Sequence, residues 1–269
     1  MFTKDTDFLL NIFDRNIKVK KSKEFKFFYD LFHNLQLYDY SFIEQNDNKK
    51  MDINSSFISE DIKKSFHLLN ENKNFEFKLN DCLIKINLYY PSQLNIQKLL
   101  KLICIYLQFI LSLTYDFMKD KEFQINYFLT NHKKLLDIDY QIPHIIDINE
   151  INSGSCSFGI IKEINIWRIE DILKTTLHEF IHALELDHFK DSEKIIRFYQ
   201  KRYKISDEKI NTNEAYTEFL ANLFNCFLIS KINHKNYDYF LKLIHLEKKF
   251  ADYQSQKIFH LTKLSKQKK

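Results

Sequence analysis

Apolar residues along this chain recur with two periods. Over 25–35 and 59–69 they return every three or four positions, which predicts amphipathic helices, and 8–13 carries the same pattern. At 75–90 the period becomes two. Phe75, Phe77 and Leu79 alternate with Glu76, Lys78 and Asn80, and Cys82, Ile84, Ile86 and Leu88 follow less strictly. Asn80-Asp81 supplies a turn, so the stretch reads as a β-hairpin that Pro91 ends. Residues 95–118 predict a long, mostly buried helix, 123–129 a strand, and 145–151 and 160–167 two further strands. The strongest helical pattern is 170–186, where Ile172, Leu173, Leu177, Phe180, Ile181 and Leu184 share one face. Residues 207–231 predict another helix, with Phe219, Leu223 and Phe227 on its apolar side and Glu214, Glu218, Asn222 and Asn225 on a polar stripe. Residues 237–269 continue as helix into a basic tail, and 46–50 reads as a polar loop. The expected class is α+β: a small mixed or antiparallel sheet packed on helices, with predominantly helical ends. A helical N-terminal region over 1–72 and a domain over 73–269 are expected, or the two as one continuous domain.

Composition narrows this picture. The chain has two glycines and two prolines in 269 residues, where ordinary usage gives about 19 and about 13. Collagen-like, disordered and linker-rich classes are thereby excluded. Both glycines fall in 152–159, so that segment reads either as a bulged turn between strands or as the rim of a substrate cleft. A net charge of +4 with no accompanying nucleic-acid module gives no reason to expect a nucleic-acid partner. The runs at 18–26 and 263–269 read as solvated faces. The four cysteines are far apart and form no C-x-x-C pair, as expected of reduced thiols. The most apolar run, 102–113, is interrupted by Gln108 and falls short of the roughly 20 residues a membrane span needs. With no leader pattern in 1–14, an intracellular, cytoplasmic location is expected.

The chemistry concentrates in His178-Glu179-Phe180-Ile181-His182. On a helix, positions i and i+4 lie one above the other, so the H-E-x-x-H pattern sets two imidazoles side by side, with Glu179 next to them. Both histidines border the apolar face, which is where a metal cleft would open. A catalytic zinc takes three protein ligands and leaves one position open. His188 stands at the third-histidine spacing of metzincins. Glu185, however, occupies their glycine position, and no methionine follows Met118 to make their methionine turn. Asn213-Glu214-Ala215-Tyr216-Thr217-Glu218 resembles the N-E-G-x-S-D segment of gluzincin peptidases, with Ala215 in place of glycine. That resemblance implies Glu214 as third ligand and Glu218 as the acid that hydrogen-bonds His178. In the alternative register Glu218-Phe219-Leu220-Ala221-Asn222 reads as E-x-x-A-[DN], which makes Glu218 the ligand.

Across 123–225 the motif order also resembles metallopeptidase-like proteins of large DNA viruses. The resemblance implies a zincin-like fold, bound Zn2+ and hydrolysis of a peptide or protein substrate, with Glu179 as general base. The oxyanion donor stays open among Tyr203, Tyr216, Arg168 and His188. The strand at 160–167 is expected to form the cleft edge that pairs with an extended peptide. The competing expectation is a catalytically silent zincin-fold protein that binds a host or cellular partner.

Overall fold

The computed structural model of the chain describes residues 21–35, 41–45, 57–79, 82–114, 116, 121–134, 148–204 and 210–267. Helix α1 spans Lys23–His33, strand β1 Ser41–Gln45, and helix α2 Glu60–Ser65, which runs into a 3-10 turn at Phe66–Leu68. Strands β2 (Glu71–Leu79) and β3 (Cys82–Tyr90) precede helix α3 (Gln97–Leu113) and strand β4 (Glu122–Thr130). A one-turn helix α4 (Ile148–Ile151) leads to strands β5 (Gly154–Phe158) and β6 (Ile161–Arg168). Helices α5 (Ile172–Ala183), α6 (Glu193–Tyr203), α7 (Asn213–Ile232) and α8 (Tyr237–Gln267) follow. The protein is thus α+β.

The strands form one six-stranded sheet in the order β1-β2-β3-β4-β6-β5. β3–β4 and β4–β6 pair in parallel, and the other three pairs are antiparallel. Alternation sorts the side chains between two faces. Ile84, Ile86, Phe123, Ile125, Ile164 and Ile166 join the main core with α3, α5 and α7. Tyr89, Phe128 and Trp167 point the other way, into a smaller core with Ile58, Ile62, Phe66 and Leu69 around α2. Phe32 of α1 belongs to the main core, in edge-on contact with Phe109, Phe224 and Phe227. Helix α1 is therefore built into the same body. The boundary expected at 72/73 falls inside β2, and β1 adds a strand to the sheet's edge.

A row of polar residues crosses the sheet. Gln45, Asn74, Asn87, Asn126, Asn165 and Ser155 stand in register across all six strands. Asn87 donates to Asn126 Oδ1 at 2.7 Å, and Asn126 donates to Asn165 Oδ1 at 2.8 Å and Glu163 Oε1 at 2.9 Å. Asn74, Asn87 and Asn126 are buried. A slip of one residue would turn these amides into the apolar core, so the row fixes the register of the strands that carry the site.

Most of the expected elements are present, trimmed at their ends. The helix expected over 8–13, the loop over 46–50 and the hairpin turn at Asn80-Asp81 lie outside the described residues. The strand expected over 145–151 is not formed where the structure describes it: Ile148–Ile151 is a helical turn. Its isoleucines carry strand propensity, but propensity yields to context, and the turn here feeds the corner at Asn152. No helix among the described residues is long and apolar enough to cross a membrane, and α3 is a core helix with Ile103, Leu107, Ile110 and Leu111 buried. All four cysteines are free thiols.

Removing the centre of the amide row tests its role. Asn126→Ala leaves the buried Asn87 and the half-buried Asn165 without this partner and should cost about 2–4 kcal/mol. Urea unfolding measures it, and a loss under about 0.5 kcal/mol, the range of an inert surface change, would contradict the account.

Candidate metal centre

Helix α5 is seated by its apolar side and one polar peg. Leu177, Phe180, Ile181 and Ala183 are fully buried, Phe180 meets Phe123 of β4, and Thr176 Oγ1 lies 3.0 Å from the Tyr127 hydroxyl. This fixes the rotation of the helix. His178 and His182 then stand at the border of the buried face, with side chains only 20% and 16% exposed.

The two rings converge. His178 Nε2 and His182 Nε2 lie 3.1 Å apart. Glu214, in the first turn of α7, approaches both, with Oε2 3.5 Å from His178 Nε2 and Oε1 3.5 Å from His182 Nε2. These three residues could hold a metal ion. The opposite ring nitrogens are engaged by carboxylates: His178 Nδ1 lies 3.3 Å from Glu218 Oε2, and His182 Nδ1 lies 2.8 Å from Asp187 Oδ2. A proton on each Nδ1 bonds a carboxylate and leaves each Nε2 lone pair aimed at the same point. The donor set therefore fits a divalent cation.

Glu218 faces the Nδ1 side of His178, away from this point, and is also bound to Lys174 Nζ at 2.5 Å and Asn222 Nδ2 at 3.3 Å. His188 stands apart from the trio. Its side chain is exposed, and its Nδ1 lies 3.8 Å from Glu185.

Asp187 was not anticipated as part of the site. It is buried and reaches His182 because the chain turns sharply off α5. Leu186 N bonds Ile181 O at 3.1 Å, Glu185 N bonds His182 O at 2.8 Å, and Glu185 adopts φ 59°. This is the left-handed helix stop usually made by glycine. The sharp turn that a glycine at 185 would have announced is thus made by a glutamate. Its strain is about 1–2 kcal/mol, and Lys162 Nζ holds the side chain at 2.9 Å.

Strand β5 forms one wall of the site. Among the described strands it pairs with β6 alone and ends the sheet. The expectation that 160–167 would be the cleft edge is therefore corrected: β6 lies inside the sheet, between β4 and β5, and the edge is the glycine-bearing segment. The corner before β5 is pinned by Asn152 O, which accepts from Trp167 Nε1 at 3.2 Å and Arg168 Nε at 2.9 Å, and by Ser153 Oγ, 3.0 Å from Asp171. A Cβ at Gly154 would lie 2.5 Å from Glu179 Oε1 and 2.8 Å from Thr175 Cγ2. Only glycine lets the strand come this close to α5. Glycine here is a matter of space and not of backbone angle, since φ is not positive.

Strand and helices enclose a cleft of about 740 Å³ whose lining includes His178, Glu179, His182, Glu214, Gly154 and Cys156. Of the four oxyanion donors expected, Tyr203, Tyr216, Arg168 and His188, none lines it. Lys134 and Lys174 do, in ion pairs with Asp171 and Glu218.

No family model matches the chain, and no curated protein or solved structure shows a significant match.

The electrostatics follow from burial and convergence. Burial pushes the Glu179 carboxyl up to about 7, against the pull of the two histidines. Burial works to lower His178, but Glu214 and Glu218 outweigh it and raise the ring to about 9; His182 is raised by the same balance, with Glu214 dominant. Glu214 is driven far below the carboxylate range by the two rings. Burial works to raise Glu218, but His178 and Lys174 bring it to about 2.

A pH dependence follows. Below about 9 the metal-free site holds a proton on His178, and a metal must displace it. Affinity should therefore rise with pH between 6 and 8, by about tenfold per unit for each proton released. Competition titration with a chelating dye at several pH values measures it; a pH-independent affinity would contradict the account.

Proposed function

We propose that this protein is a gluzincin-type zinc peptidase with a zincin-like fold, hydrolysing peptide bonds in a peptide or protein substrate. The observation that carries the reading is the convergence of His178 Nε2, His182 Nε2 and Glu214 on one point, with Glu179 buried beside them. The two Nε2 atoms lie 3.1 Å apart, each lies 3.5 Å from a different oxygen of Glu214, and one donor atom from each residue falls within 4.8 Å of the others. Two imidazoles and one carboxylate are the donor set of the thermolysin class.

When bound, zinc supplies Lewis-acid polarisation and lowers the pKa of water toward neutrality. The chain's own residues do the rest. His178, His182 and Glu214 hold the ion. Glu218 and Asp187 hold the two rings in the tautomer that keeps Nε2 free. Glu179, with a carboxyl near neutral pKa, takes the proton of the attacking water and returns it to the leaving amine. Buried between β5 and α5, Glu179 has no solvent-facing role to explain its place. The open edge of β5 offers backbone groups to an extended peptide laid along the cleft.

Glu179→Gln should keep zinc and lose at least about a hundredfold in hydrolysis, read by metal content and cleavage of a degenerate peptide library. Glu214→Ala should lose zinc, and Glu218→Ala only part of it. Equal zinc in wild type and Glu214→Ala would contradict the ligand assignment. A zinc-loaded wild type that cleaves no peptide would instead support the reading as a catalytically silent binding protein.

A further inference from the structure

Helix α6 has no counterpart among the elements expected from the sequence and no use in the metal centre. It lies in the connection between the two ligand-bearing helices. The base of that connection is clamped, with Asp191 accepting from Thr212 N at 2.8 Å and Thr212 Oγ1 at 2.6 Å. The helix itself is well formed. Ser192 caps its N-terminus by accepting from Ile195 N, and Lys204 in the left-handed region stops it.

Its packing is unusual. None of its residues is buried, and it makes no substantial packing contact with any other described element. A helix this short is marginal alone in water, and tertiary burial is the usual support. Yet it is two-sided, with one exception. Ile195, Ile196, Phe198, Tyr199 and Tyr203 share one arc, interrupted by the exposed Arg202, while Lys194, Arg197 and Lys201 occupy the opposite one. Ile195 is 40% exposed, Phe198 60% and Tyr203 51%. Over 193–204 there are five basic residues against the single acid Glu193. At the base of the excursion, Phe189 and Tyr216 meet edge-on at 5.2 Å and are themselves exposed.

We propose that the apolar arc of α6 inserts into the surface of an anionic lipid bilayer, and that its lysines and two arginines contact the headgroups, Arg202 by extending outward from the arc. Three features select this occupant. The net positive charge selects an anionic surface and opposes pairing with a second copy of the same helix. The apolar arc requires a low-polarity medium, which nucleic acid does not offer. The arc is convex and carries aromatic residues with polar tips, the composition of helices that lie in the plane of a membrane interface. A second segment has the same character. The distal part of α8 exposes Phe250, Tyr253, Ile258 and Phe259 beside Lys248, Lys249 and Lys257. The inference is independent of peptide hydrolysis.

Flotation of the purified full chain with phosphatidylcholine vesicles, with and without roughly 30% phosphatidylserine, tests it. Binding is expected to the anionic vesicles only, and to weaken at least about tenfold as ionic strength rises from about 0.05 to about 0.5 M. The double variant Ile195→Ser/Phe198→Ser and the charge variant Lys194→Glu/Lys201→Glu should each lose about tenfold or more. Neither set of side chains is buried, so circular dichroism and zinc content should be unchanged. Absence of wild-type binding to anionic vesicles would overturn the proposal, including the case in which the chain instead captures an acidic amphipathic peptide. Binding that survives both variants would overturn the assignment to α6.

Discussion

Two imidazole nitrogens 3.1 Å apart, both directed at one carboxylate, are the constraint on which the rest of this structure turns. Uncharged and uncompensated, two such lone pairs repel. The arrangement is stable only with protons or a cation between them, and each element around it contributes to holding it. Helix α5 sets the spacing, α7 brings Glu214 and Glu218, and the turn after α5 returns Asp187 beneath His182. The sheet's amide row holds the strand register that places β5, and the absence of a Cβ at Gly154 lets β5 close over Glu179.

The same geometry accounts for the charge state of the site. Glu218 is shared between His178 and Lys174, so one acid both orients the ring and is itself neutralised. Glu179 has no such direct partner among the cations of the cleft and is buried more deeply, which is why its carboxyl moves up while Glu214 and Glu218 move down. Three acids within one cleft are thus separated into two that stay ionised as holders and one poised near neutrality.

What was legible in the sequence is what depends on short-range spacing. The i, i+4 relation of His178 and His182 is a property of any helix, and Glu214 and Glu218 repeat it on a second one. The hairpin of β2 and β3 and the core helix α3 followed from plain periodicity. Asp187 was hidden because its role depends on a left-handed turn at a residue, Glu185, whose type disfavours it. The edge position of β5 was hidden because Gly-Ser-Cys-Ser-Phe is short and rich in the glycine and serine of turns, and strand order is a tertiary property. Helix α6 was legible in principle, since Ile195, Ile196, Tyr199 and Tyr203 recur at helical spacing behind the Ser192 cap, and it was missed between the two stronger helical patterns that flank it.

X-ray absorption spectroscopy of the zinc-loaded protein tests the central claim most directly. The account predicts a shell of nitrogen and oxygen scatterers at about 2.0–2.1 Å, with multiple scattering from two imidazoles and no sulfur. A sulfur scatterer at about 2.3 Å, which would bring in Cys156 or another thiol, or a signal from fewer than two imidazoles, would contradict it.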